Sequence, residues 1–292
     1  MSPALANALV LVGIAAAFPG VALAIGYALL GRARWLDRVE RFAAAWGVGF
    51  AAIAAGQFTA FLAGADSRVV LPPFLIGAFV VSALLGRFVL PAREADGGDF
   101  DASPWPLAVG WLGFAAHLGL IQTLLPAYLG GGWAFDWWMH YEKARVFVGH
   151  LPVETVWVEK YTIASRTPLM NLTLAAVLGA AGDQFWVYQF ASVVTNSVVV
   201  LPLALIAGRL GGRRAGRLAL VAAPLNVWLL HEGWFTWTKL LAAYYLFLSL
   251  HFYLRWRATP ENRPATAWRR FLACWIASLL AFLTHQITIV YT

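Results

Sequence analysis

Residues 130–145 read GGGWAFDWWMHYEKAR and open a long polar loop in an otherwise apolar chain. The loop runs from Leu129 to Thr167 and separates two groups of apolar runs. It holds an acid, a histidine, basic residues and several aromatic residues within one short stretch. A membrane protein rarely keeps such a cluster beside the bilayer without using it. We therefore expect this loop to carry the chemistry of the protein.

The composition predicts an integral membrane protein. The 292 residues are 61% hydrophobic and 12% charged, whereas soluble domains carry about 25% charged residues; the mean hydropathy is +0.70. The net charge of +7 comes from arginines in short turns between apolar runs, as the positive-inside rule expects. Because no basic stripe is present, we expect membrane lipid rather than nucleic acid as a partner. The single cysteine, Cys274, excludes an internal disulfide.

The apolar runs predict an all-α polytopic fold of about eight transmembrane helices, with membrane-parallel helices in the long external loop. The predicted spans are 4–30, 42–64, 71–90, 106–128, 185–208, 215–234, 236–254 and 271–291. The first is read as a helix rather than a cleavable signal, because it lacks a basic leading segment. Residues 168–182 would rise only about 22 Å as a helix. A nine-span topology gives a similar charge balance but exports the arginines after the first helix, so we favour eight spans, with 168–182 in or dipping into the outer leaflet.

Residues 136–149 suit a helix with Asp136 as its cap or first-turn acid. Helical spacing predicts two stripes, one with Asp136, His140, Lys143 and Phe147 and one with Trp137, Tyr141, Ala144 and Val148. We expect the aromatic stripe to lie on the membrane interface. The other stripe would then face a polar cavity, where His140, Tyr141 and Lys143 are candidate substrate-binding residues. The alternative is an interfacial helix with solvated charges, in which Asp136 is only a cap.

Further candidates lie on the predicted outer side. Arg166 is a candidate phosphate ligand, since guanidinium groups pair bidentately with phosphoryl oxygens; the alternative is a snorkelling arginine. Lys239 could supply a second charge or simply anchor at the interface. His231 and Glu232 precede it in the same turn, and His285 lies near the outward end of the last span. A divalent metal stays open, because the acids and histidines show no compact ligand spacing.

At these residues the chain resembles the GT-C superfamily of membrane glycosyltransferases. The resemblance runs from about Trp105 to the C-terminus and comprises the Asp-bearing external loop, the Arg166-Thr167-Pro168-Leu169 segment, the inside turn 208–216 and a second external turn. It implies that 1–104 are N-terminal extra transmembrane helices and that 105–292 form a GT-C-like catalytic module. Because the chain stops directly after an apolar run, we expect it to be part of a longer protein.

The resemblance implies that Asp136 is the catalytic base, that Arg166 contacts the donor phosphate and that His231 and Glu232 support the site. It further implies transfer of a sugar from a polyprenyl-phosphate donor to a glycan, lipid or protein acceptor, on the outer face of a bacterial inner membrane. The sequence departs from the family in its three extra spans. It also separates the acidic and basic members of the second turn, Glu232 and Lys239. A secondary transporter or lipid flippase is the alternative function, and a non-catalytic membrane scaffold is a further one.

Overall fold

The computed structural model describes residues 10–89, 103–125, 134–152, 154–158, 161–162 and 167–286, with Asn7 and Thr288. Side chains 83, 85–89, 134–137, 156–158 and 161–162 lie outside this description. The helices of the described part are α1 (Val10–Leu30, with a π-helical turn at Gly13–Ala17), α2 (Arg38–Leu62), α3 (Ser67–Val89), α4 (Trp105–Leu124), α5 (Ala134–Gly149), α6 (Leu169–Ala181), α7 (Phe185–Ser197), α8 (Val200–Ala222), α9 (Val227–Trp234), α10 (Lys239–Arg257) and α11 (Pro264–Thr284). A 3-10 turn, Ala223–Leu225, precedes α9.

A short hairpin adds to the predicted all-α fold. Strands β1 (Val156–Val158) and β2 (Tyr161–Thr162) pair antiparallel inside the long polar loop. Val156 lies opposite Thr162 in this pairing. The sequence predicted no strands in this loop.

Five helical segments in the described part of the chain are long and apolar enough to cross a membrane. They are Val10–Leu30, Arg38–Leu62, Trp105–Leu124, Phe185–Leu225 and Pro264–Thr284. These segments fit an integral membrane protein. The predicted spans 71–90 and 236–254 also fall on helices, α3 and α10. The total of eight crossings stays a prediction.

The chain reverses direction at Gly212, inside the turn predicted at 208–216. Gly212 has φ +77° and ψ 177°, a conformation that is essentially restricted to glycine. Before the reversal, Ser197 accepts a hydrogen bond from the Trp111 indole of α4. After it, Leu220 lies so close to Gly110 that an added methyl group there would approach it to 2.9 Å. Residues on both arms therefore lie at the same level of α4.

Helix α6 is short and buried. At about 1.5 Å per residue its 13 residues rise about 20 Å, less than the ~30 Å of a hydrocarbon core. The Thr173 hydroxyl donates to the carbonyl of Phe50, halfway along α2, and Gly179 lies beside Ser67 at the start of α3. Helix α6 therefore runs from the middle of α2 to its end at Leu62. We name the two ends of the molecule after α2, the Arg38 end and the Leu62 end; the topology predicts the Leu62 end outside.

Buried residues from both sides of the predicted boundary at residue 104 form one continuous hydrophobic core. Trp46 of α2, which is fully buried, contacts Trp111 of α4 with ring centroids 4.5 Å apart. Large apolar side chains are exposed on the outer faces of α3, α4 and α11, among them Phe74, Leu120 and Trp275. Such faces suit contact with lipid tails. The division of the chain at residue 104 stays a prediction.

A buried ionic cluster joins α2 to α10 at the Arg38 end. Asp37 and Glu40 form a capping box at the start of α2. One oxygen of Glu40 forms an ion pair with Arg255, 2.8 Å from Nε, and lies 3.0 Å from His251 Nε2. Both Glu40 and His251 are less than 5% exposed. The Asp-x-x-Glu spacing is a capping-box signature, but its tertiary partners are more than 200 residues away in sequence.

Candidate functional site

Helix α5, which carries most of the predicted site residues, lies across the Leu62 end of the bundle. Near its start, the rings of Trp138 and Tyr141 contact Phe185, the first residue of α7, with centroids 4.5 and 5.3 Å apart. Near its end, Phe147 contacts Phe61, in the last turn of α2, at 5.3 Å. The predicted helix over 136–149 is thus confirmed. It begins at Ala134, so the backbone of Asp136 lies in its first turn.

Both predicted stripes of α5 are buried where the structure describes them. His140 and Lys143 are only 6% and 1% exposed. Tyr141, Ala144 and Val148 are buried too and belong to the hydrophobic core. The expectation that the aromatic stripe faces the membrane surface is therefore wrong. His140 and Lys143 are thus enclosed by the surrounding protein.

One carboxylate, Asp183, fixes α5 to the turn between α6 and α7, and a second, Glu142, links side chains within α5. Arg145 donates from Nε to Asp183 Oδ2 at 3.0 Å and from Nη1 to Glu142 Oε2 at 3.1 Å. The Tyr141 hydroxyl donates to Asp183 Oδ1 at 3.0 Å, and the Trp138 indole donates to Glu142 Oε1 at 2.7 Å. Burial, followed by the charge of Asp183, raises the pKa of Tyr141 to about 12. The phenol therefore stays a hydrogen-bond donor at neutral pH.

The second predicted external turn comprises the last turn of α9, with His231 and Glu232, and the residues that join it to α10, and two asparagines hold it. Asn226 caps α9 by accepting a hydrogen bond from the Leu229 N–H. The side-chain amide of Asn196, in α7, donates to the carbonyls of Phe235 and Trp237 at 3.3 and 3.1 Å. These bonds satisfy carbonyl groups that leave the helical ladder between α9 and α10. The turn is therefore fixed to α7.

Folding pairs the acid and the base that the sequence separates. Lys239 Nζ lies 3.6 Å from Glu232 Oε2, and His231 Nδ1 lies 3.7 Å from Glu232 Oε1. Lys239 Nζ also lies 3.3 Å from the centroid of the Trp237 ring, within the range of a cation–π interaction. The side chains of His231 and Lys239 are 40% and 44% exposed. This cluster, unlike His140 and Lys143, is accessible.

Lys239 lies well below the Leu62 end. It begins α10, and Tyr245, only six residues later, donates its hydroxyl to the carbonyl of Gly47 at 2.8 Å. Gly47 lies in the Arg38-end half of α2. Helix α10 therefore starts beside the middle of α2, at about the level that α6 reaches through Thr173. A charge exposed at that depth in a bilayer would need polar surroundings.

His285 lies close to the start of α10. Helix α11 folds back along α10, because Arg270 donates to the Thr259 hydroxyl at 2.9 Å and the Ser249 and Ser278 hydroxyls are 2.8 Å apart. The last residues of α11 therefore return to the level at which α10 begins. His285 caps α11 there, with its N–H bonded to the Ala281 carbonyl.

Phe185 joins the two predicted external segments. Besides Trp138 and Tyr141 of α5, it packs against Phe235 and Trp237 of the second turn. The described candidates on α5 and around Lys239 thus share one side of the molecule. The Asp136 side chain and Arg166 lie outside the described residues.

Sequence reasoning missed Asp183, Phe185 and Asn196. A signal existed for two of them. Asp183 follows Gly182 at a break between apolar runs, and Asn196 is a polar residue within a predicted span, which is costly unless bonded. Phe185 gave no signal, because its role depends on contacts with residues far away in sequence.

Among the described residues, no three His, Cys, Asp or Glu side chains come close enough to hold a metal ion. No family model, curated protein or solved structure matches this chain.

Proposed function

We propose that the chain is a membrane glycosyltransferase that moves a sugar from a polyprenyl-phosphate carrier to a glycan, lipid or protein acceptor on the extracytoplasmic face. The contact that carries the proposal is the packing of Phe185 against both α5 and the 235–237 segment. It makes one surface from two polar segments that are about 100 residues apart in sequence. A reaction between a lipid-borne donor and a water-borne acceptor needs such a joined surface beside the bilayer.

The Glu232–Lys239 pair supports the proposal electrostatically. Lys239 is half-exposed beside the middle of α2, and its Nζ is 3.6 Å from Glu232. An exposed cation beside the bilayer can stabilise the charge that develops on a departing phosphate. The isoprenoid tail of the donor would stay in lipid, so the enzyme needs no nucleotide-binding loop.

In the proposed reaction, the Asp136 carboxylate takes the proton of the acceptor hydroxyl. The acceptor oxygen forms a bond to the anomeric carbon of the sugar while the bond from that carbon to the phosphate oxygen breaks. The electron pair leaves with the polyprenyl phosphate, and Arg166 and Lys239 stabilise its charge. A general base typically contributes about 10²–10⁴-fold to the rate.

The decisive experiment is transfer from radiolabelled polyprenyl-phosphate sugars by the full chain reconstituted in liposomes. Asp136→Asn should lower transfer by at least about 10²-fold without changing expression or gel-filtration behaviour. Asp66→Asn is the matched control, because Asp66 is exposed in the turn after α2, on the same predicted side. Full activity of Asp136→Asn, or no turnover of any labelled carrier, would refute the proposal.

A secondary transporter is the second candidate, and one observation favours it. Helices α6 and α10 both begin beside the middle of α2, and helices interrupted at mid-depth are typical of transporters. The same liposomes separate the two functions. Uptake of a solute without a covalently labelled product supports transport, whereas labelled product without uptake supports the enzyme.

A further inference from the structure

A groove extends from the Arg38 end toward the middle of the bundle. It opens between the 30–36 segment, α2, α10 and α11, and its volume is about 420 Å³. Its walls are almost entirely apolar, with Leu248, Phe252, Ile276 and Leu280 among them. Ile276 is 50% exposed on the outer face of α11, so the groove is accessible from the side, where lipid tails would lie.

Two arginines line the same groove, Arg32 from the segment after α1 and Arg269 from the first turns of α11. Both side chains are exposed, and neither guanidinium forms a hydrogen bond or ion pair with the residues that the structure describes. No acidic residue lines the groove. An uncompensated pair of positive charges beside an apolar channel suits a ligand with an anionic head and a hydrocarbon tail.

The length of the groove agrees with such a ligand. It extends along α11 from Arg269 to Leu280, a rise of about 16 Å for a helix. That is close to half of a ~30 Å hydrocarbon core, the thickness of one leaflet. The charges thus lie at headgroup level if the apolar part lies within the leaflet.

We infer that this groove binds one anionic phospholipid, with its phosphate between Arg32 and Arg269 and one acyl chain along α11. Basic pockets between transmembrane helices bind anionic headgroups in this way. Such a lipid fits the groove because its anionic phosphate would meet the two arginines while its acyl chain would follow the apolar walls. The inference does not depend on the proposed sugar transfer, since none of the candidate site residues lines the groove.

Native mass spectrometry of the full chain in detergent tests the inference, with phosphatidylglycerol and phosphatidylcholine of identical acyl chains. One basic residue near the headgroups changes affinity for anionic lipid about fivefold. The double variant Arg32→Gln/Arg269→Gln should therefore lose about thirtyfold in affinity for phosphatidylglycerol and become indifferent to the headgroup. The control is Arg34→Gln/Arg263→Gln, which removes two exposed arginines that do not line the groove.

Ala273→Phe tests the apolar part, because Ala273 lines the groove and a larger side chain would fill it. This variant should lose the long-chain lipid while its melting temperature stays within a few degrees. If the variant does not fold, the unmodified chain is tested instead with phosphatidylglycerol that carries six-carbon acyl chains. This short-chain lipid should bind much more weakly than the long-chain one. Equal loss in both double variants, no preference for the anionic head, or equal binding of short and long chains would each overturn the inference.

Discussion

The hydroxyl of Tyr244 lies within the backbone ladder of α2 at Gly47. It accepts a hydrogen bond from the Gly47 N–H at 2.9 Å and donates one to the Ala43 carbonyl. An α-helix normally joins these two backbone groups directly. Gly47 leaves room for this arrangement, since an added methyl group would come within 2.8 Å of the Tyr244 ring.

Tyr244→Phe should lower the free energy of unfolding by about 1–3 kcal/mol, because it removes a hydroxyl that serves two buried backbone groups. Thermal unfolding in detergent measures the loss. Tyr253→Phe, on the same helix but with an exposed side chain, should leave the melting temperature nearly unchanged. Equal melting temperatures for the two variants would show that the inserted hydroxyl adds no stability.

Arg255→Met should destabilise the protein by about 3–5 kcal/mol, since it leaves the buried carboxylate of Glu40 without its closest cation. The double variant Glu40→Gln/Arg255→Met should recover much of that loss, because the uncompensated charge is gone. Arg257→Met is the control, because Arg257 is exposed at the end of α10, two residues after Arg255. If the loss of stability in the double variant equals the sum of the losses in the two single variants, Glu40 and Arg255 are not energetically coupled, which would contradict this prediction.

Alkaline pH should destabilise the docking of α5. The pKa of Tyr141 is raised to about 12 by burial and by Asp183, against about 10 for a free tyrosine. Between these values the unfolded chain releases a proton that the folded chain keeps, so stability present below pH 10 is lost as the pH rises toward 12. Melting temperatures from pH 8 to 11 should fall more steeply for the unmodified chain than for Tyr141→Phe. Parallel curves would argue against this linkage.

Gly212→Ala should cost about 1–3 kcal/mol, because alanine does not tolerate φ +77° with ψ 177°. Gly113→Ala is the opposite case. Gly113 lies within α4, with no atom within 4 Å of an added methyl group, so alanine there should be neutral or stabilising by up to about 1 kcal/mol. Chemical unfolding measures the stability of both variants. Equal effects of the two substitutions would contradict the positive-φ turn at Gly212.

Under the proposed function, Lys239→Gln should reduce kcat/KM for the lipid-phosphate donor by about 10–100-fold, the equivalent of one charged hydrogen bond. Arg68→Gln, which removes an exposed cation in the first turn of α3, should keep full activity. An unchanged kcat/KM in Lys239→Gln would remove this lysine from the donor site.

The helices could be predicted because their cause is local. Apolar runs of about 20 residues bounded by arginines indicate spans, and the run that begins near Asp136 indicates α5. Helical stripes showed correctly which residues of α5 share a face, but they could not show what covers each face. Tyr141 and Val148 are buried like Lys143, because α5 packs against α6 and α2, which no periodicity within the helix identifies.

The tertiary contacts could not be predicted for a similar reason. Glu40 meets His251 across 211 residues, and Lys239 lies beside Glu232 across a turn that is bonded to Asn196 of α7. Local spacing indicates a capping box or a charged turn, but the partner is selected by the packing of helices that are distant in sequence.

The short helix α6 places a condition on how the protein is made. A segment of 13 residues is below the window of about 19 by which insertion into the bilayer is decided, so it cannot partition into lipid alone. Helix α6 packs against α2 and α3, and the ribosome completes both of these helices well before α6 emerges. Because α2 and α3 are synthesised first, they can provide the packing site for a segment that is too short to insert into the bilayer by itself.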